Sequence, residues 1–178
     1  LSALFTWHAC AQSWCPPGAT WTYGTDAFGL FGYQQYSYVG DTVIGGLNGQ
    51  RITGQGAMSY FGQSQVDYWT DTLGFVTALD GDVIVIWYAD QQDWDTLFWL
   101  GASPGDGWLR RNGPYGSCDP RDSIVVIDTS TVIVDGLALR QWEAEQRWTG
   151  GTTGTLLFTE RIGWDWSFEP LPACLIID

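Results

Sequence analysis

Apolar positions along this chain fall in short runs broken by glycine and aspartate, and no window holds the 3.6-residue period of an amphipathic helix. The pattern predicts strands over 33–39, 50–60, 82–88, 124–127, 138–148, 155–161 and 175–177. Two runs do not alternate: Val83-Ile84-Val85-Ile86-Trp87-Tyr88 and Ile124-Val125-Val126-Ile127 are apolar at every position. Such strands need cover on both faces, from the facing sheet of a sandwich and from a long loop or a neighbouring molecule. Asp80, Asp82 and Asp90 flank the first run as guards against aggregation. Two stretches nearly repeat: Thr42-Val43-Ile44-Gly45-Gly46-Leu47 with Arg51, and Thr131-Val132-Ile133-Val134-Asp135-Gly136-Leu137 with Arg140. Each reads as a β-branched strand, a glycine-centred turn and a return strand. They stand half a chain length apart, which predicts two similar hairpins in one fold rather than a repeat array. The expected class is therefore all-β: an antiparallel β-sandwich-like single domain.

Composition sets the surroundings. A chain of 178 residues that is 45% hydrophobic is long enough for one core, with roughly 70% of the unfolded surface removed from water. All seven basic residues are arginine, and the net charge is −13. That balance excludes nucleic acid and insertion into anionic membranes as partners, because both rely on cationic side chains. It also keeps a surface rich in aromatics soluble.

Cys10, Cys15, Cys118 and Cys174 allow three full pairings, among which Cys10 with Cys15 and Cys118 with Cys174 are favoured. The second bridge would close a long loop, worth about 4 kcal/mol. Zinc is the alternative, but no Cys-x-x-Cys pair exists and His8 is the single histidine. Disulfides imply an oxidising compartment. The chain opens on Leu1 without a leader, which reads as the mature form of an exported, extracellular or cell-surface protein. Residues 1–24 stand apart as an aromatic, cysteine-containing segment, stapled by its disulfide, ahead of a sandwich over 25–178.

Candidate chemistry is thin. A histidine-based nucleophile has only His8, beside Cys10. Glycoside hydrolysis needs two carboxylates, for which Asp93, Asp95, Glu143, Glu145, Glu160, Asp165 and Glu169 are available. Asp90, Asp93 and Asp95 are weak calcium candidates, since their spacing matches no strong loop signature. No cofactor is expected. The surplus of aromatic residues is the better lead, with twelve tryptophans in the chain. Trp7, Trp14, Trp94, Trp108, Trp164 and Trp166, with Arg110, Arg111 and Arg161 beside several of them, are candidate binding or interface residues, because exposed indoles stack on sugars or anchor protein interfaces.

The segment Gly81-Asp82-Val83-Ile84-Val85-Ile86-Trp87-Tyr88, the Asp95 to Trp108 stretch with its Gly105-Asp106 turn, the second hairpin, Glu160-Arg161-Ile162-Gly163 and the final Cys174 together resemble secreted Bacteroidota proteins exported by the type IX secretion system. The resemblance spans roughly residues 20–178. It implies an extracellular β-protein without an assigned activity, separated from its sorting domain. It also makes Asp-Thr/Ser-aliphatic triplets candidate O-glycosylation sites, at Thr42, Thr72, Thr96 and Ser123. The same triplets serve as ordinary turn-to-strand punctuation. The function expected from all this is a non-catalytic structural or adhesive protein that assembles with itself or another surface protein. Its interface would be aromatic and two-sided apolar strands. A carbohydrate-binding module using exposed tryptophan is the alternative, and a carboxylate-based glycoside hydrolase the third reading.

Overall fold

The computed structural model describes residues 14–27, 29–62, 64–111, 122–147 and 153–164, with Thr25, Ala27, Thr72 and Leu73 described through their backbone alone. In it, both near-repeats are hairpin tips. Ile44 pairs with Leu47 across Gly45-Gly46, and Val134 with Leu137 across Asp135-Gly136. The turn residues have φ of 53° and 82° in the first and 50° and 79° in the second. Two positive φ values in a two-residue loop make a type I′ turn, whose twist matches that of the flanking strands. Gly45 has a second constraint, since an added Cβ would lie 2.5 Å from both the Trp87 ring and Trp94 Nε1.

Among the described residues the chain forms eleven strands: β1 (Thr20–Ala27), β2 (Leu30–Ile44), β3 (Leu47–Tyr60), β4 (Asp67–Asp80), β5 (Val83–Tyr88), β6 (Asp93–Trp99), β7 (Gly107–Arg110), β8 (Asp122–Val134), β9 (Leu137–Arg147), β10 (Thr153–Thr159) and β11 (Gly163–Trp164). They are antiparallel, and within each sheet every strand pairs with its neighbour in sequence. β1 to β6 make one sheet and β7 to β11 the other. A meander of this kind needs only local connections. The all-β antiparallel expectation holds.

The two sheets enclose one core, and its rings meet at Phe158 on β10. Trp142 on β9 stacks on Phe158 at 4.4 Å, and Phe98 on β6 stacks at 5.1 Å from the opposite sheet. Trp164 and Trp108 meet the same ring edge-on at 5.4 and 6.3 Å. Offset and edge-to-face pairs of this kind add about 0.5–1.5 kcal/mol each beyond the area they bury.

Two devices hold the sheets around that core. Arg140, at the base of the second hairpin, donates to the carbonyls of Leu100 and Ala102 at 3.1 and 2.8 Å, and its guanidinium lies 4.7 Å from the Trp142 ring centroid. This fastens the β6–β7 connection to β9. On the other side β1 reaches the β10–β11 turn: Trp21 Nε1 donates to Arg161 O at 2.6 Å, and the Tyr23 hydroxyl donates to Ile162 O. The Glu160-Arg161-Ile162-Gly163 motif is thus a docking turn, with Arg161 and Gly163 at φ of 67° and 90°.

The non-alternating runs come out differently from each other. β5 is covered on both faces, with Ile84, Ile86 and Tyr88 in the core. On its other face Val85 is buried and Val83 and Trp87 half-buried, with Gly45 of the chain's own first hairpin against Trp87 and Trp94. β8 alternates: Ile124 and Val126 are buried, Val125 is half-buried and Ile127 is 48% exposed. The bulge between Val126 and Asp128 puts Ile127 outside the regular pairing. Residues 20–24 belong to β1, so the expected boundary at residue 24 falls inside a strand. Trp14, Cys15, Trp21 and Tyr23 are all core residues. The strand expected at 175–177 lies outside the described residues.

Phe158→Ala is expected to lower unfolding free energy by about 3–5 kcal/mol, whereas Phe61→Ala, on a side chain 82% exposed, should change it by less than about 0.5 kcal/mol. Urea titrations of the two variants against the parent measure both.

Candidate functional site

The tryptophans expected at the surface are largely structural. Trp14 is buried, donates from Nε1 to Thr77 Oγ1 at 3.1 Å and stacks on Trp21 at 6.0 Å. Trp164 is fully buried between Phe98 and Phe158. Trp108 is half-buried against the core, and Trp94 is half-buried edge-on to Trp87 at 5.3 Å. Trp7, Trp166, Cys10, Cys118 and Cys174 lie outside the described residues.

The candidate arginines are likewise engaged. Arg110 and Asp122 form an ion pair at 3.8 Å with both side chains buried, and Gln146 Nε2 donates to the same carboxylate at 2.6 Å. Arg111 takes up two of the calcium candidates: its backbone N–H donates to Asp95 Oδ2 at 2.8 Å, and its guanidinium reaches Asp95 at 3.6 Å and Asp93 at 3.3 Å. Its guanidinium also lies 5.4 Å from the Tyr88 ring centroid. Asp90 is exposed. Among the described residues no group of three or more His, Cys, Asp or Glu side chains is placed to hold a metal ion. These contacts tie β5 and β6 of one sheet to β7, β8 and β9 of the other.

Other carboxylates considered for hydrolysis are also partnered. Glu160 Oε2 accepts from Arg140 N at 3.3 Å, and Glu145 pairs with Arg147. Glu143 is exposed on the outer face of β9, opposite Asp128. Asp165 and Glu169 lie outside the described residues. Arg161 is half-buried and lines a cleft of about 330 Å³ with Trp14, Trp21 and the tip of the second hairpin.

The triplet residues Thr96 and Ser123 are half-buried within strands, and Asp95 accepts from the Thr96 N–H at 3.0 Å, the local punctuation role. Thr42 is half-buried near the first hairpin tip, between exposed Asp41 and Val43. The side chain of Thr72 is not described.

What the body leaves open is the outer face of β1 to β4. Register places Gly24, Tyr33, Ala57 and Tyr68 in one row across four strands, and Thr22, Gln35, Gln55 and Thr70 in the next. Tyr33 is 41% and Tyr68 78% exposed, with Ala57 buried between them. Phe31 follows on β2, and its ring meets the exposed Phe61 at 6.4 Å. In the polar row Gln35 donates to Thr22 Oγ1 at 3.2 Å and Gln55 donates to Gln35 Oε1 at 2.8 Å. Of the described side chains in these rows and the ones flanking them, only Asp26 at one end is charged. Sequence reasoning overlooked this face because it weighed tryptophans, whereas the open rings are tyrosine and phenylalanine. The alternation of Phe31, Tyr33 and Gln35 along β2 was the available signal.

No family model matches the chain, and no curated protein or solved structure shows significant similarity to it. Among the described residues no helix is long and apolar enough to cross a membrane.

Burial of Cys15, with Asp41 adding repulsion, pushes its thiol from 9.0 up to about 12. Burial, followed by the influence of Tyr36, raises the Tyr23 hydroxyl well above its ordinary 10.0. Both groups ionise in the unfolded chain at lower pH than in the native one. The stability they supply is therefore complete below pH 9 and is lost as pH rises towards 12. The reduced protein's melting temperature should be level from pH 7 to 8.5 and fall above about pH 9. Tyr23→Phe should melt lower at neutral pH, having lost its bond to Ile162 O, and show a shallower alkaline decline in scanning calorimetry.

Proposed function

We propose that this is a non-catalytic extracellular protein that works by adhesion, presenting the outer face of β1 to β4 to a partner. The observation that carries this reading is the exposure of Tyr33, Tyr68, Phe31 and Phe61 on an open face. Aromatic rings left in water on a regular, well-paired sheet are the usual anchors of a recognition surface. The engagement of Asp93, Asp95, Glu145 and Glu160 by arginine groups and backbone favours adhesion over carboxylate-based hydrolysis. Assembly through two-sided apolar strands has less support, because the second face of β5 is covered within the chain and β8 alternates.

The test is a surface-binding assay on immobilised cell-wall polysaccharide, mucin and the protein itself. The parent should be retained on at least one of these, and Tyr68→Ala and Phe61→Ala should each weaken retention while keeping the parent's stability. Retention indifferent to both changes would overturn the reading.

The extracellular setting carries a second expectation, the Cys10–Cys15 and Cys118–Cys174 bridges. It draws support from the lysine-free acidic composition and the resemblance to secreted Bacteroidota proteins; in the structure Cys15 is a buried free cysteine. Protein purified from an oxidising compartment and denatured without reductant should bind no alkylating reagent, and peptide mapping should recover those two pairs. Four alkylated cysteines would remove the bridges from the proposal.

A further inference from the structure

Resting on the adhesive reading, we infer that the β1 to β4 face binds a neutral polysaccharide whose chain lies across the strands, with Tyr33 and Tyr68 as stacking platforms and the Gln35–Gln55 ladder as its polar rail. Three features of the face specify that chemistry.

The first is spacing. Tyr33 and Tyr68 are register partners of the same residue, Ala57, from the strands on either side. They therefore stand two strand spacings apart, roughly 9.6 Å. Platforms rooted at that strand separation suit successive sugar faces of an extended chain, and Ala57, the small buried residue between them, adds no protruding side chain of its own. Two more rings, Phe31 and Phe61, continue the apolar surface beyond Tyr33.

The second is the polar row. Thr22, Gln35, Gln55 and Thr70 run parallel to the tyrosine row, displaced by two residues along each strand, about 7 Å. Gln35 and Gln55 are oriented by hydrogen bonds to each other and to Thr22. Amides held this way retain further donor and acceptor capacity without rotamer freedom left to lose on binding. Alternating hydroxyl donors and acceptors on a sugar match such a row, while an apolar peptide does not.

The third is charge. The molecule carries −13 overall, yet these rows hold no charged side chain except Asp26 at one end. The outer face of the other sheet presents Asp128, Glu143, Glu145 and Arg147 in its rows instead. An anionic polysaccharide meets a repulsive field, with Arg51, two rows beyond Gln55 on the same side of β3, the one basic side chain on these four strands. A second copy of the chain would bring the same negative charge. A neutral glycan is the partner that matches the face and escapes the field.

The experiment uses the full chain against insoluble cellulose, chitin, β-1,3-glucan and starch, with alginate as the anionic control, at low and high salt. Retention is expected on at least one neutral polymer, with little salt dependence and none on alginate. Tyr68→Ala should reduce affinity about tenfold, the Tyr33→Ala/Tyr68→Ala pair should abolish retention, and Gln55→Ala should weaken it. Leu109→Ala, an exposed change on the other sheet, should leave it intact. Failure to bind any neutral polymer, or binding indifferent to the tyrosines, would overturn the inference. If the same tyrosine variants then lose retention on mucin or on the protein itself, the glycan inference fails and the adhesive reading stands. If they bind every surface as the parent does, both fail.

Discussion

The contact on which the rest of this structure depends is the meeting of Phe98 and Phe158 at 5.1 Å between the two sheets. Each sheet is a meander whose hydrogen bonds are satisfied within itself, so nothing in the ladders joins one to the other. The joining is done by rings: Trp142 behind Phe158, Trp164 touching both phenylalanines, and Trp14 against Phe98. Aromatic side chains cover large areas at low conformational cost, which suits a core built between two flat surfaces. The consequence for function is direct. Indoles committed to this contact have little surface left with which to meet a ligand, so Trp14, Trp142 and Trp164 serve the core.

The polar contacts work at the margins of that core, where the sheets diverge. Arg140 closes the β6–β7 connection, Arg110 and Asp122 fasten β7 to β8, and Arg111 binds Asp93 and Asp95 on β6. A buried pair such as Arg110 with Asp122 offsets its desolvation only when further hydrogen bonds complete it, and Gln146 supplies one. The near-repeated hairpins show how one motif acquires separate duties. Arg140 and the exposed Arg51 follow equivalent turns, and Arg140 reaches the carbonyls of Leu100 and Ala102 in another connection.

Much of the fold was legible because the period-two pattern and the glycine turns are local signals. β2, β3, β5, β8, β9 and β10 all lie where apolar runs end at a turn. The strands that escaped notice are those whose composition argues against them. β4 carries Asp71 and Gly74, and these form a local bond at 3.0 Å where its register against β3 slips. β6 begins with two aspartates that its own backbone and Arg111 engage. β1 looked like part of a separate aromatic segment because its buried residues, Trp21 and Tyr23, dock on a turn some 140 positions away. Contacts of that range leave no trace in spacing. The candidate site was less legible still, since the rows of the open face are assembled by register across four strands and exist nowhere as a motif.

That register also explains how an open face remains in a molecule so rich in aromatics. The inner side of β3 carries Gly54 and Gly56, and an added Cβ at either would come within about 3 Å of the Trp69 ring. Glycine there lets Trp69 of β4 lie directly on the β3 backbone, with Tyr36 of β2 against Gly54 as well. Outward residues at one end of the same strands, Gln55 and Tyr68 among them, then stand at the surface. Pairing across Ala57 fixes the distance between the backbones of Tyr33 and Tyr68 as firmly as the strand spacing itself. A surface organised in this way can exchange its side chains without disturbing the core. In the proposed function, recognition would fall to the outer face of these four strands while their inner face supplies core packing.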